Sequence, residues 1–159
     1  MKKFLILFMF AFTLLAGCSG IDKNTETFIK EYLTLRFETV NMVNEEGSNV
    51  EDIIEHTELV KPYLSEDRYN EFTRKRESEM PLRTHDFTVV KGGTLTIDSI
   101  KLEKVEKNEY KYEVTVIIDN LTEKLKTTYS GLLKINEEGL IYYDWLDQRI
   151  GVTEKIDKV

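Results

Sequence analysis

The chain has a single cysteine, Cys18, in 159 residues. That excludes an internal disulfide and any structural zinc site built from several thiolates. Its two histidines, His56 and His85, lack the spacing of metal ligands. His56 follows Glu55 and His85 precedes Asp86, but sequence neighbours in a helix or strand point apart. Both are therefore expected on solvated surface, and neither a metal nor a cofactor is expected. Basic residues are outnumbered, 22 Lys and Arg against 29 Asp and Glu, for a formal charge of −7. Phosphate backbones are bound by Lys and Arg, so nucleic acid is an excluded partner class. Glycine is sparse, and the pair Gly92-Gly93 in "VVKGGTL" leads into a strand rather than a helix, so it is a turn and not a phosphate cradle. The cluster Arg74-Lys75-Arg76 with Arg83 is diluted by Glu71, Glu77 and Glu79 and reads as a solvated helix end. No internal repeat, low-complexity tract or catalytic motif is present. Nor is there an apolar run of the ~20 residues that a spanning helix needs; the longest, Phe4 to Leu15, is about 12.

That short run follows Met1-Lys2-Lys3 and ends in Leu15-Ala16-Gly17-Cys18. A basic start, an apolar stretch and small residues form the pattern of a secretory signal peptide. The tetrapeptide resembles the lipobox of bacterial lipoproteins, with Leu15 at −3, Ala16 at −2, Gly17 at −1 and Cys18 at +1. The resemblance covers residues 1–18. It implies a diacylglycerol group on the Cys18 thiol, cleavage before that residue, and palmitate-type acylation of the new amine. A thiol suits the chemistry because sulfur is the strongest neutral nucleophile among side chains near pH 7. Each buried CH₂ contributes about 0.8 kcal/mol, so two or three chains hold firmly where one holds marginally. The expected location is the extracytoplasmic face of the cell membrane, with the membrane itself as a partner through the lipid on Cys18. Removing Lys2 and Lys3 deepens the charge of −7 by two, so surface charge opposes anionic headgroups and the anchor does the holding.

The organisation expected is a leader over 1–17, a lipidated cysteine and tether over 18–24, one domain over 25–150 and a tail over 151–159. Phe28, Ile29, Tyr32, Leu33, Phe37, Val40 and Val43 recur at three and four, predicting a helix from about 25 to 44 capped by Asn24 or Thr25. Ser48-Asn49-Val50-Glu51 reads as a capping box for a second helix with Ile53, Ile54 and Val60 inward, stopped by Pro62. Ser65 is the predicted cap of a third helix, with Leu64, Tyr69 and Phe72 inward, ending near Pro81. Beyond it the period becomes two. Phe87, Val89, Leu95, Ile97, Ile100 and Leu102 shift phase at Asp98-Ser99, predicting a bulge. Tyr110 to Ile118 and Leu125 to Ile135 alternate cleanly, and a last strand runs from Leu140 to about Gln148 with Ile141, Tyr143 and Trp145 on one face. The turns "KNE", "DNLTE" and "NEEG" join antiparallel neighbours. The fold class is α+β, three N-terminal helices packed on a curved antiparallel sheet.

Over residues 25–150 this order of elements resembles the cone-shaped fold of the nuclear-transport-factor-two-like superfamily, with a cystatin-like fold, one helix on a similar sheet, as the alternative. The resemblance implies a cleft between sheet and helices, whose candidate lining is Tyr32, Phe72, Tyr129 and Trp145. Isomerase-type members of the superfamily use a cleft carboxylate as base and a phenol as oxyanion donor. Here those roles fall to Asp144 or Asp147 with Tyr32, Tyr112 or Tyr129. If Tyr143 and Trp145 point inward, however, Asp144 points to solvent. The function expected is a non-enzymatic protein-binding or assembly module of the cell envelope, in conjugation, secretion or a wall-associated assembly, with an envelope protein as partner. An exposed aromatic patch rimmed by charge would mark its contact face. The alternatives are a small-molecule carrier or sensor with an apolar cleft and an isomerase or hydrolase using an Asp/Tyr pair.

Overall fold

The computed structural model describes residues 20–37, 43–44, 47–48, 50–79, 94–119, 124–147 and 153–156. Cys18 and its leader, His85, Phe87, Val89, Gly92-Gly93 and most of the "DNLTE" turn lie outside them.

Helix α1, Lys23–Phe37, buries Ile29, Tyr32, Leu33, Arg36 and Phe37, a stripe at the three- and four-residue spacing of one helix face. Its cap is Asp22 rather than the expected Asn24 or Thr25, both of which lie inside the helix. The Asp22 carboxylate accepts the Thr25 amide at 3.0 Å, and bonds from Thr25 hold it below the usual carboxylate range. The helix is described only to Phe37. Val43–Asn44 (β1) pairs with Gly47–Ser48 (β2) as a small antiparallel ladder, so the helix expected to reach 44 is shorter. Val43 continues the helical spacing by chance, and as a β-branched residue it suits a strand equally well.

Helix α2, Val50–Val60, begins two residues after Ser48, which is engaged in β2 rather than placed as the cap. Its buried face is Ile53, His56 and Val60, while Ile54 is 59% exposed. His56 is thus a core residue, contrary to the surface expectation, and its Nε2 bonds the Leu35 carbonyl of α1. A 3₁₀ turn, Lys61–Tyr63, carries Pro62 at its start. Leu64 then bridges to Ile141, and the Ser65 amide donates to the Ile141 carbonyl at 2.9 Å, hooking the chain onto the sheet. Helix α3, Glu66–Arg74, starts after Ser65 as expected, although the hydroxyl makes no capping bond, and it buries Arg68 and Phe72. Arg76 in the left-handed region (φ 53°) reverses the chain into a second 3₁₀ turn, Glu77–Glu79, well before Pro81.

The sheet comprises β3 (Thr94–Glu106), β4 (Glu109–Asp119), β5 (Lys124–Ile135), β6 (Ile141–Leu146) and β7 (Thr153–Ile156). All neighbours are antiparallel in the order β3-β4-β5-β6, and β7 pairs with the other end of β5. The expected tail beyond 150 therefore contributes a strand. The bulge falls where predicted: the register shifts between Ile97 and Ser99, leaving Asp98 extra. Tyr110, Tyr112, Val114, Val116 and Ile118 of β4 and Thr127, Tyr129, Gly131, Leu133 and Ile135 of β5 face the helices and are buried. Asn108 (φ 62°) turns β3 into β4. In the turn into β6, Asn136 Oδ1 accepts the Glu138 and Leu140 amides.

Three helices on an antiparallel sheet make an α+β fold, against the single helix of the cystatin-like alternative. The α1 stripe lies on the inner face of the sheet, where Phe37 stacks on Tyr129 with ring centres 5.2 Å apart. No helix among the described residues is long and apolar enough to cross a membrane.

Candidate functional site

Strand β6 decides which side chains enter the interior. Ile135 pairs with Ile141 and Lys134 with Tyr143, so Tyr142 is an extra residue on β6. The bulge inverts the phase. Ile141, Asp144 and Leu146 turn inward, while Tyr142, Tyr143 and Trp145 are 50%, 41% and 49% exposed. This corrects two expectations together: Trp145 does not line the interior, and the Asp144 carboxylate, with no exposure at all, does not face solvent.

Asp144 is the centre of a buried polar cluster. Arg36 of α1 forms an ion pair with its carboxylate. Tyr32, one turn earlier on α1, donates to Oδ2 at 2.5 Å, and Tyr112 of β4 donates to Oδ1 at 3.0 Å. Arg36 also reaches the Tyr112 hydroxyl at 3.3 Å and Glu77 at 3.4 Å. Arg68 of α3 grips Glu77 with both Nη atoms, at 3.0 and 2.5 Å, and donates to the Asp144 main-chain carbonyl at 3.4 Å. Two buried guanidinium groups thus face two buried carboxylates and the buried charges balance, with the half-exposed Glu71 lying 3.8 Å from Arg68 at the edge.

A buried charge is tolerated only when it is paired and hydrogen-bonded. Burial pushes the Tyr32 phenol up to about 12, against the opposing pull of Arg36 and Arg68. It therefore stays protonated and donates to Asp144 across the ordinary pH range. Burial alone would lower the Arg36 guanidinium, but Tyr32, Tyr112 and Glu77 hold it above its usual value.

Tyr112 belongs to β4 and Asp144 to β6, so the phenol must cross β5. It does so over Gly131, its register partner, which in turn pairs with Leu146. A Cβ at Gly131 would stand 2.2 Å from Tyr112 Cζ and 2.5 Å from the Trp145 carbonyl oxygen. Only glycine leaves room for this crossing.

The remaining cleft candidates take other places. Phe72 is fully buried, with the Arg68 guanidinium over its ring at 5.7 Å. Tyr129 is core, packed on Phe37. Asp147 follows β6, its amide donating to the Ser130 carbonyl at 2.9 Å. Tyr32 and Tyr112 come together on Asp144 as an acid-phenol set, but both carboxylate oxygens are engaged, as an oxyanion site or a free base could not be. Sequence reasoning missed Arg36, Arg68 and Glu77. The available signal was Arg36 standing seven residues after Ile29 on the apolar stripe.

Open space lies at the surface. A groove of about 560 Å³ crosses the outer face of the sheet between Lys101, Glu103, Lys111, Leu132, Trp145 and Asp147. A second, of about 390 Å³, lies between α2 and α3 along Val50, Ile54, Tyr69 and Thr73. Among the described residues no group of three or more His, Cys, Asp or Glu converges as a metal site would require.

No family model and no curated protein matches the chain. Among solved structures, the solution structure of TraH, proposed as a transfer protein of the Gram-positive conjugative plasmid pIP501, aligns with 81% of this chain and 96% of its own, at 16% identity and a TM-score of 0.47.

Proposed function

We propose that the protein is a lipid-anchored, extracytoplasmic envelope lipoprotein whose domain binds a protein partner and does no chemistry itself. Leu15-Ala16-Gly17-Cys18 supports the anchor. The observation that carries the binding role is the outer side of α2. Val50, Ile54 and Leu59 are 63%, 59% and 50% exposed there, among Glu51, Glu55 and Glu58, and Val50 and Ile54 border the α2–α3 groove. Apolar side chains set among the three glutamates of α2, with Arg76 at the far side of the groove, suit an amphipathic partner segment whose basic residues meet α2. The interior supports the non-enzymatic reading. Asp144 is saturated by Arg36, Tyr32 and Tyr112, so a substrate would have to displace a buried ion pair to reach it. The assembly this reading calls for is one of conjugation, secretion or the cell wall.

The test is chemical cross-linking in membranes of cells expressing the full chain, compared with a Val50→Lys/Ile54→Lys variant. Loss of a cross-linked protein in the variant, with the melting temperature unchanged, supports the reading. Equal capture by both chains overturns it. A Cys18→Ser chain that still sediments with membranes and a wild-type chain without added fatty-acid mass would remove the anchor.

A further inference from the structure

We infer that the outer face of the sheet at β5 and β6 rests on the lipid headgroup surface, with Trp145, Tyr143 and Tyr142 as its interfacial contacts. The inference builds on the anchor at Cys18.

The first argument is reach. Four residue steps separate Cys18 from Asp22, which caps α1, so the fold begins no more than about 14 Å from the lipidated residue. The start of α1 lies at one end of the sheet, where Asp22 and Thr25 act on the Tyr110 phenol. Tyr110 pairs with Leu133, and Leu133 with Asp144. Tyr110, Leu133 and Asp144 thus form one row across the sheet, about 10 Å from β4 to β6, and the tether's exit and the Tyr143 and Trp145 rings share that end of the sheet on opposite faces of it. The domain cannot rise clear of the bilayer, and the aromatic residues belong to the end it must keep close.

The second argument is chemistry. Indole and phenol rings have an apolar body and a polar tip, and they settle at the level of headgroups. Trp145 faces Leu132 across the strands, and Tyr143 faces Lys134, whose ammonium lies 5.7 Å from the ring centre.

The third is charge. The outer face carries its ions as cross-strand pairs: Lys101–Glu113, Lys124–Asp119, Lys126–Asp98 and Lys134–Glu109. Helix α2 has Glu51, Asp52, Glu55 and Glu58 with no Lys or Arg. An anionic bilayer thus repels α2 more than it repels the paired charges on the outer face of the sheet. Glu137 and Glu138, in the turn at the same end, add no attraction. The contact is made by aromatic rings, and its strength should not rise with anionic lipid.

Trp145 is the sole tryptophan, which makes it a direct reporter. The full acylated chain, reconstituted into phosphatidylcholine vesicles with and without phosphatidylglycerol, is titrated with phosphatidylcholine brominated high on its acyl chains. The expected result is a blue-shifted Trp145 emission, quenched at least twofold by the brominated lipid and shielded from acrylamide. A Tyr142→Ser/Tyr143→Ser chain of unchanged circular dichroism should lose most of that quenching. Vesicle-bound protein whose Trp145 stays open to acrylamide and unquenched overturns the proposal and leaves the anchor standing. So does a double-serine chain quenched like the wild type. A chain that lacks fatty-acid mass and fails to float with vesicles removes the anchor, and the orientation with it.

Discussion

Replacing Gly131 by alanine is expected to cost far more than one methyl group suggests. The new Cβ would meet Tyr112 Cζ at 2.2 Å and the Trp145 carbonyl oxygen at 2.5 Å, where carbon contacts settle near 3.5–4.0 Å. The phenol must move by about 1.3 Å or more, and the Trp145 side of the clash is backbone, which cannot swing away. Tyr112 then leaves Asp144 and Arg36. Loss of a hydrogen bond to a charged group costs about 1.5–3 kcal/mol, and overpacking about 1–3 kcal/mol. Against these, alanine stiffens the unfolded chain by about 0.4–1 kcal/mol. The net is a destabilisation of about 2–5 kcal/mol, a large part of the roughly 5–15 kcal/mol available to a domain. Urea denaturation of the two chains measures it, read from the midpoint with the slope unchanged. A double-mutant cycle with Tyr112→Ala isolates the crossing, since alanine at 131 should cost much less once the ring is gone. A Gly131→Ala chain within 0.5 kcal/mol of the parent would refute the reasoning.

Asp144→Asn should destabilise by about 3–5 kcal/mol, because the buried guanidinium groups of Arg36 and Arg68 are then left to share the Glu77 carboxylate; a loss under about 1 kcal/mol in the same assay would contradict the cluster. Tyr32 has a raised pKa in the fold, so its contribution is complete below its unfolded value near 10. It is lost as pH climbs through about 12, and the Tyr32→Phe chain should show a flatter fall in stability across that window. Asp22 has a depressed pKa, so the opposite sign applies: its capping contribution is present above the ordinary carboxylate value and fades as pH drops through the lower folded one, a dependence that Asp22→Asn should remove. Ile53→Ala should cost about 2–5 kcal/mol, whereas Ile54→Ala should stay within about 0.5 kcal/mol; equal effects would mean that the buried face of α2 is misassigned.

The alternation in β4 and β5 was legible because each residue on those strands faces either the helices or solvent, and the side-chain chemistry follows suit. The Asp98 bulge was legible for the same reason, as a break in an otherwise regular phase. The Tyr142 bulge was not, because aromatic residues stand on both sides of it and the pattern continues unbroken in either phase. That single extra residue is why Asp144 and Trp145 exchange places. Arg36 and Arg68 escaped notice because Asp144 lies far along the chain from both, and Glu77, nine residues after Arg68, faces it only through the chain reversal at Arg76. His56 was misread because its bond to the Leu35 carbonyl comes from a neighbouring helix. Thr153–Ile156 is too short to show a period.

The buried cluster joins five separate pieces of chain: α1, α3, the Glu77–Glu79 turn, β4 and β6. Neither α1, α3 nor the Glu77–Glu79 turn can peel away without stranding a charge in the interior, so partial openings of the helical layer are as costly as global ones. Amide hydrogens in the middle of α1 and in α3 should then exchange with solvent at the same slow rate as those of β4, as one cooperative unit, while the α1 start frays independently.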